Sequence, residues 1–409
     1  MGLDSAIAHL LKARRISAPS QSYAKDNPGE WAKVKAYLEG GARPTGVVTE
    51  MGLGLIEVED ARRGTPDPDP EPEPGTDWFP ASWLSGPSGD DFFRKAMPPR
   101  KGVFVGIWDS GHPGISRITQ REGEVGRRFD IAGGSYYGQM PNSDGKITLI
   151  KQGGRLPLAD AGHYGISGVN EILSGSKDTF IRQWVKAAAA AGGSDPILVR
   201  QFHEYAGPWM AAHWIDAGHS RRCTSAEWQQ MCRRPVDIAR QEGITNIIWI
   251  WCATIYDDRA AIYASYPGDD YVDLIGDDNY GYADQQWMGY EFGWATHAMV
   301  HNYPVVQYPA GDPRREELKM MAEFRPTKPY MVCETGRAPH SNDSGQKKEW
   351  LQEMPAQAKT YLPRLVMHLY SDYGHEADPG GDWTLDHPAS ALDGYRSAVN
   401  DPYWNTRDL

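Results

Sequence analysis

From residue 102 onwards, short apolar segments alternate with longer segments that have helical periodicity. The apolar segments are typical of strands that are buried on both faces. They predict strands at residues 102–107, 129–133, 155–159, 196–201, 246–251, 272–277, 329–333 and 364–369. Helices fill the gaps, and the clearest of them are predicted at 178–191 and 346–360. This alternation predicts an α/β fold, namely a (β/α)8 TIM barrel.

The first 64 residues have a different pattern. Residues 6–12 indicate a helix, and a second helical pattern over residues 31–38 stops at Gly40-Gly41. A unit of this size is small for an independent hydrophobic core. We therefore interpret residues 1–64 as a small helical module for docking or oligomerisation, with a virion or cell-surface assembly as the docking partner.

A proline-rich acidic segment separates this module from the barrel. Proline alternates with Asp or Glu from Thr65 to Pro74, and such a sequence cannot bury apolar surface. It favours an extended chain that repels itself. The sequence therefore predicts a linker at 65–76 and a barrel domain at 77–409, and we expect the barrel domain to fold without the module.

Charge and hydropathy restrict the partners. The net charge is −12 and no basic run occurs, which argues against nucleic acid. No run of about 18 apolar residues is present, so no transmembrane helix or membrane partner is expected. The amino terminus lacks the order of residues that marks a secretory signal. A cytoplasmic, virion-associated or non-classically exported protein is therefore expected.

Cysteines and paired acids give no sign of a metal site. Four cysteines in 409 residues do not form a disulfide scaffold. Cys223 and Cys232 could pair within a loop, whereas Cys252 and Cys333 are interpreted as small buried hydrophobic residues. Asp277-Asp278 has no third ligand at a suitable spacing. We expect no metal and no cofactor.

Two predicted strands end in glutamate. The strand at 196–201 becomes polar at Arg200, His203 and Glu204, and the strand at 329–333 is followed by Glu334. Strict alternation would place Leu198, Arg200, Phe202 and Glu204 on the inward side, with Val199, Gln201 and His203 on the other. An isolated Glu near an Arg is usually a structural ion pair. Two inward glutamates at two strand ends are instead what double-displacement glycoside hydrolysis requires.

Several motifs in this order resemble glycoside hydrolase family 26. The match around the first glutamate comprises Arg200, Phe202, His203, Glu204, Gly207 and Trp209. Further matching segments are 266–280, 328–336 and 382–402, so the resemblance covers roughly residues 102–404. The family includes β-mannanases, β-1,3-xylanases and mixed-linkage β-glucanases. Its mannanases usually carry Met-Asn after the His-Glu pair, where this chain has Tyr205-Ala206.

The resemblance implies roles for five of these residues. Glu204 would be the acid/base and Glu334 the nucleophile, and Tyr280 would hydrogen-bond the nucleophile. His203 would position the sugar or the nucleophile, and the indole of Trp209 would form a wall for a pyranose. Packing roles remain open for His203, Tyr280 and Trp209.

Other candidates lie at the ends of three predicted strands. Trp108, His112 and His163 follow strands one and three as candidate substrate contacts. Tyr370 follows strand eight, where related barrels usually present an aromatic residue to the sugar. Asp372 lies at the same place, and a helix-capping or loop role explains it as well as a role in the site does.

The leading functional hypothesis is a retaining endo-β-glycosidase acting on a polysaccharide such as β-mannan or a related β-linked glycan. A non-catalytic, carbohydrate-binding barrel is a second hypothesis, against which the pair of glutamates and Tyr280 count. A phage tail-associated depolymerase is a third, suggested by analogy from the helical module and the linker.

Overall fold

The computed structural model describes residues 29, 32, 33, 36, 86–88, 103–109, 114–136, 138–204, 223–253, 263–281, 324, 328–339, 345–362, 364–373 and 382–404. The chain divides into two compact units, Met1–Glu71 and Pro72–Leu409. Residues 29, 32, 33 and 36 are helical. The linker at 65–76 lies outside the described residues, so the predicted boundaries stay predictions. Within the described part of the chain, no helix is long and apolar enough to cross a membrane.

Eight parallel strands close into a barrel, which confirms the predicted fold class. Each strand pairs with the next in sequence, and the eighth pairs with the first. The strands are β1 (Phe104–Trp108), β2 (Ile131–Ser135), β3 (Leu156–Gly162), β4 (Ile197–Gln201), β5 (Ile247–Ala253), β6 (Leu274–Gly281), β7 (Tyr330–Arg337) and β8 (Leu365–Ser371). All eight predicted strands are present. β6 and β7 extend beyond their predicted ends, so Tyr280 and Glu334 lie within strands.

Helices surround the barrel and connect its strands. Those described are α1 (Ser116–Val125), α2 (Lys146–Gln152), α3 (Asn170–Leu173), α4 (Asp178–Gly192), α5 (Ser225–Gln241), α6 (Gln346–Tyr361) and α7 (Ser390–Val399), with a short 3-10 turn at Asp269–Tyr271. The two clearest helix predictions are confirmed as α4 and α6. α4 buries Ile181, Trp184, Val185 and Ala188, whose spacing of three and four residues forms one face.

The apolar core has two layers. The larger layer lies between the strands and the helices, and the smaller fills the barrel interior with side chains from all eight strands. The inner layer comprises Phe104, Trp108, Ile131, Leu156, Leu158, Leu198, Ile248, Ile250, Cys252, Leu274, Met331, Cys333, Val366, Met367 and Leu369. Gly133 provides room for the Trp108 ring, since a Cβ there would lie 2.0 Å from a ring carbon.

Two buried aspartates connect strands at the amino end of the barrel. Asp130 precedes β2 and accepts the Val105 amide at 3.1 Å. Asp273 precedes β6 and accepts the Trp249 amide at 2.7 Å. Asp273 also accepts the amide and hydroxyl of Ser88, at 3.2 and 2.8 Å. The segment before the barrel is therefore fixed to the amino end of β6.

We expect residues 77–409 to fold without the amino-terminal module, because this fragment keeps Ser88 and every described strand and helix of the barrel. Its thermal midpoint, measured by circular dichroism, should equal that of the barrel transition in the full chain. A fragment of residues 101–409 is the matched comparison. It lacks Ser88 and leaves the buried Asp273 without two donors, at a cost of about 1–3 kcal/mol in unfolding free energy. An insoluble 77–409 fragment would contradict the expectation.

Candidate active site

Three inward-facing columns of side chains change from apolar to polar at the carboxyl end of the barrel. In β3, Leu156 and Leu158 are followed by Asp160, and in β4, Leu198 is followed by Arg200. In β8, Met367 and Leu369 are followed by Ser371. The period of two residues keeps each column on one face of its strand. Because parallel strands end together, the three fully buried polar residues lie at the same edge, the barrel mouth.

The guanidinium of Arg200 is the centre of this polar group. Its Nη1 donates to both carboxylate oxygens of Asp278, at 2.8 and 2.9 Å. Its Nη2 donates to Asp160 at 2.6 Å and also to Oε1 of Glu334. The Trp108 ring lies 4.8 Å away as a cation–π partner. A single side chain from β4 therefore connects carboxylates from β3, β6 and β7.

The pKa values in this group reflect burial and mutual charge. Burial opposes the charge of Arg200, but Asp160, Asp278 and Glu334 raise its pKa well above the ordinary value. Burial would also raise the pKa of Asp160, yet Arg200 and His203 lower it. The pKa of Asp278 is raised by burial and by the Glu334 and Glu204 carboxylates, which together outweigh Arg200. Arg200 is therefore held in its charged form, and among its partners the pKa of Asp160 falls whereas that of Asp278 rises.

Both carboxylate oxygens of Glu334 receive a hydrogen bond. Arg200 donates to Oε1, and the hydroxyl of Tyr280 donates to Oε2. Burial, followed by the Glu334 charge, raises the pKa of Tyr280 well above its ordinary value. The phenol therefore stays neutral and keeps its proton for donation. A carboxylate held by two donors is suited to act in its ionised form.

A β-bulge directs Glu334 into the barrel. Met331 and Cys333 of β7 face the interior, so strict alternation would point Glu334 outwards. The pairing of β6 with β7 shifts at this point, because Asp277 pairs with Val332 whereas Asp278 pairs with Glu334. Cys333 is the extra residue, and it returns Glu334 to the inner face. Bulges near active sites commonly redirect a side chain in this way.

The alternation predicted beyond β4 is wrong after Gln201. The structure places Phe202 in the outer layer, with its ring between those of Tyr164 and Trp228 at 5.5 and 5.6 Å. His203, predicted to face away from the interior, has its Nδ1 3.2 Å from Oδ1 of the inward Asp160. The reason is the backbone: Phe202 and Glu204 have positive φ angles of 49° and 50°, which end the strand geometry.

Glu204 lies close to the same polar group despite this turn. Its side chain is largely buried, and its charge raises the pKa of Asp278. A carboxylate oxygen of Glu204, a ring nitrogen of His203 and a carboxylate oxygen of Asp278 lie within 4.8 Å of one another. The same spacing relates Asp160, His203 and Glu334. His203 is therefore near both glutamates.

The sequence comparisons match a family profile and two curated glycan hydrolases. The profile described as "Glycosyl hydrolase family 26" matches residues 172–344, a range that contains Glu204, Tyr280 and Glu334. Endoglucanase H of Acetivibrio thermocellus is 24% identical over 312 residues, 73% of this chain and 30% of that protein. A mannan endo-1,4-beta-mannosidase of Bifidobacterium adolescentis is 30% identical over 123 residues, 27% of this chain and 12% of that protein.

Residues 172–344 of this chain are therefore similar to glycosyl hydrolase family 26. The catalytic domain of a GH26 endo-beta-1,4-mannanase from Bacillus sp. JAMB-750 has a TM-score of 0.57 at 16% identity, covering 82% of this chain and 96% of that one. An endo-beta-1,4-mannanase double mutant from Cellulomonas fimi has a TM-score of 0.52 at 18% identity, covering 75% and 72%. These likenesses concern the fold. The chain spans less than a third of the length of the two relatives matched by sequence.

The residues predicted from the resemblance to family 26 divide into two sets. The structure brings together Glu204, His203, Tyr280 and Glu334 at the mouth of the barrel. Trp108 lies beneath them, 2% exposed and against Arg200, so it supports the group from inside the barrel. Trp209 and His112 lie outside the described residues.

His163 lies near the Arg200 group, whereas Tyr370 faces away from it. His163 follows β3 and is half-buried, and its pKa is lowered by burial and then by the charge of nearby His203. Tyr370 faces the opposite way from Leu369 and Ser371, into the outer layer. There its ring packs 5.1 Å from Tyr395 and its hydroxyl donates to the Trp383 carbonyl. The predicted substrate contact of Tyr370 is therefore not supported, because alternation turns this residue outwards.

Asp372 connects α1 to the segment after β8, a contact that differs from the predicted helix-capping or loop role. Its carboxylate accepts from Arg117 and Arg121 of α1, at 2.9 and 2.7 Å, and from the Leu385 amide at 2.8 Å. Three segments of chain are therefore connected through one buried acid. This connection lies outside the Arg200 group.

The described cysteines are free thiols, and the pairing considered for Cys223 and Cys232 is not present. Cys252 and Cys333 lie in the inner layer, as predicted for small buried residues. Gly276 lies beside them, since a Cβ there would be 2.6 Å from the Cys333 sulfur. Cys252, Cys333 and Asp278 each place one potential metal-ligand atom within 4.8 Å of the other two. Their spacing in the sequence did not indicate this proximity. Both oxygens of Asp278 already accept from Arg200.

Three contributors to the site were missed by sequence reasoning. Asp160 and Ser371 each stand two positions after an inward apolar residue, Leu158 and Leu369, a signal that period-two counting could have used. Trp383 comes from a distant loop, and its ring packs 4.4 Å from that of Tyr280. Its only signal was the matching segment at 382–402.

Proposed function

We propose that this chain is a retaining endo-β-glycosidase that cleaves a β-linked polysaccharide by double displacement. Glu334 is the nucleophile and Glu204 the acid/base in this proposal. The observation that supports it most is the environment of Glu334, whose two oxygens accept from Arg200 and Tyr280. Such donors stabilise an ionised carboxylate, which is the form that attacks an anomeric carbon.

In the first step, the Glu334 carboxylate attacks the anomeric carbon while Glu204 gives a proton to the leaving glycosidic oxygen. A glycosyl ester on Glu334 results. In the second step, Glu204 takes a proton from water, and the water oxygen replaces Glu334 at the anomeric carbon. Glu204 is suited to this exchange because it is largely buried beside His203 and Asp278.

The substrate class follows from the relatives. Their names, endoglucanase H and mannan endo-1,4-beta-mannosidase, point to β-linked glucan and mannan. Tyr205-Ala206 stands where the mannanases usually carry Met-Asn. A related β-linked glycan is therefore a candidate substrate beside mannan. A reducing-sugar assay of the full chain on β-mannan, β-1,3-xylan, mixed-linkage glucan and bacterial surface polysaccharides tests this.

The assay also separates the competing functions. Turnover of one β-glycan, with a fall in viscosity before much reducing sugar appears, supports endo cleavage. Binding without turnover would favour a non-catalytic barrel, and turnover only of bacterial surface polysaccharide would favour the depolymerase. A docking partner for residues 1–64 remains a prediction, tested by affinity capture with that module alone.

Tyr280→Phe should lower turnover about 10²-fold, the usual effect of losing one donor to a catalytic group. The ring and its packing on Trp383 remain, so the thermal midpoint should change little. Tyr164→Phe is the matched control, because it removes a buried tyrosine hydroxyl that donates to Gln201 in the outer layer. Initial rates of both variants on the best substrate provide the test. Wild-type rates in Tyr280→Phe would mean that Tyr280 serves packing only.

A further inference from the structure

Ser371 occupies the inward position at the carboxyl end of β8. It is fully buried and follows Leu369 in the inward column of that strand. Its Oγ lies 2.6 Å from the hydroxyl oxygen of Tyr280. That hydroxyl also contacts Oε2 of Glu334. Three oxygens, from β8, β6 and β7, thus form a short chain that ends at the proposed nucleophile.

The number of protons fixes the direction of both hydrogen bonds. The Tyr280 hydroxyl has one proton and two oxygen neighbours, and burial raises its pKa so that the proton stays. An ionised carboxylate only accepts, so the Tyr280 proton is directed at Glu334. The contact between Ser371 and Tyr280 then has a proton only if Ser371 donates. If Tyr280 instead donated to Ser371, the Tyr280 oxygen and Oε2 of Glu334 would face each other with no proton between them.

We propose that Ser371 is a positioning residue that donates to Tyr280 and thereby keeps the Tyr280 proton directed at Glu334. This inference rests on the proposed function, because Glu334 is the nucleophile only within it. Consecutive hydrogen bonds polarise one another, so donation by Ser371 makes Tyr280 a better donor. Ser371 therefore acts on Glu334 through Tyr280 and has no contact of its own with the reacting atoms.

The position of Ser371 in β8 supports this role. The neighbouring residue, Tyr370, is directed outwards, so Ser371 is the residue through which the end of β8 reaches the Arg200 group. A hydroxyl on a short side chain can approach Tyr280 there, beside the ring of Trp383. With the hydroxyl removed, a lone pair of Tyr280 would face a buried apolar group, which is unfavourable.

Ser371→Ala in the full chain should lower kcat about tenfold with little change in KM, since the lost interaction acts on the nucleophile. The acid limb of the kcat/KM profile against pH should move to higher pH. The sign follows from charge: weaker donation by Tyr280 stabilises ionised Glu334 less, so the pKa of that carboxyl rises. Ser371→Thr retains the hydroxyl and should restore both quantities. Ser88→Ala, which removes a buried hydroxyl that donates to Asp273 at the amino end of the barrel, is the control that should change neither.

A double-mutant cycle distinguishes positioning from general packing. In a Tyr280→Phe background, Ser371→Ala should cause no further loss, because its route to Glu334 is gone. An equal loss in both backgrounds would overturn the proposal. So would a Ser371→Ala variant whose acid limb stays in place.

A measurement without turnover separates this inference from the proposed function. Carbon-13 NMR of carboxyl-labelled glutamate, assigned with Glu334→Gln, reports the titration of Glu334 directly. A higher Glu334 pKa in Ser371→Ala would support the positioning role, and an unchanged pKa would contradict it. If the wild-type chain turns over no glycan, the proposed function fails, and this titration still decides the role of Ser371 as an aid to the ionised carboxylate.

Discussion

Glu334→Ala should abolish turnover on every glycoside, because no covalent intermediate can form without the nucleophile. Glu204→Ala should behave differently, since an aryl glycoside with a good leaving group needs little help from an acid. That variant should release an initial burst of phenol and then turn over slowly, because water is no longer activated for the second step. Stopped-flow absorbance and steady-state rates on an aryl β-glycoside measure both effects.

The stereochemistry of the same reaction is an independent check. Proton NMR of the first-formed product should show the anomer of the substrate, as two successive displacements require. A first product of inverted configuration would exclude Glu334 as a nucleophile, even for an active glycosidase. Glu122→Ala is a matched control, because Glu122 forms an ion pair with Arg155 away from the barrel mouth. Glu122→Ala should affect stability. It should give the same product anomer and the same reaction time course as the wild type.

Replacing Arg200 should affect both activity and stability. Arg200→Met leaves buried Asp160, Asp278 and Glu334 without their shared cation, and breaking a buried ion pair costs about 3–5 kcal/mol in unfolding free energy. Turnover should fall at least about 10²-fold, because Glu334 loses the donor at one of its oxygens. Arg200→Lys keeps the charge but cannot reproduce the guanidinium fork, so it should recover stability better than turnover. Urea unfolding and initial rates measure the two quantities.

The stability difference between wild type and Arg200→Met should depend on pH. In the wild type, the lowered pKa of Asp160 contributes stability above the ordinary Asp value, and this contribution is lost as pH falls. In the variant, burial of Asp160 acts without that compensation and favours the neutral acid. The difference in unfolding free energy should therefore narrow as pH falls, beginning above the ordinary Asp pKa, where Asp160 of the variant takes up its proton, and continuing below it. A difference that stays constant from pH 7 to pH 3 would contradict this account.

A second buried arginine provides the control for these variants. Arg121 of α1 is as buried as Arg200, and it is paired with Asp372 at 2.7 Å and with Asp386 at 3.0 Å, outside the Arg200 group. Arg121→Met should lower the unfolding free energy while leaving kcat and KM close to wild type. Equal losses of turnover in the two variants would show that Arg200 acts through global stability.

Local patterns were sufficient for the barrel and for two of its functional positions. Apolar runs such as Ile197–Val199, separated by helical segments, predicted all eight strands, because burial on both faces is a property of a strand's own sequence. Glu204 and Glu334 could be found because each lies at or just after the carboxyl end of a predicted strand. The role of each glutamate came from the family resemblance, since spacing alone does not distinguish an acid from a nucleophile.

Predictions that assumed regular alternation failed where the strands become irregular. Phe202 turned outwards because a residue of positive φ ends the strand geometry after Gln201. The opposite case is Glu334, which faces inwards only because Cys333 forms a bulge. A bulge and a left-handed residue both depend on pairing with a neighbouring strand. A single strand's sequence therefore does not specify them.

The sequence by itself determined the (β/α)8 architecture and the presence of its eight strands, and it singled out the two glutamates, because each of these depends on residues close together in the chain. Only the tertiary structure decided the partners of Arg200. Asp160, Asp278 and Glu334 are 40, 78 and 134 residues away from it, and they meet because the barrel closes. The tertiary structure also decided that Ser371, and not Tyr370, faces the Arg200 group from the end of β8. Contacts across a closed barrel depend on strand order and register, which arise only when all eight strands pair.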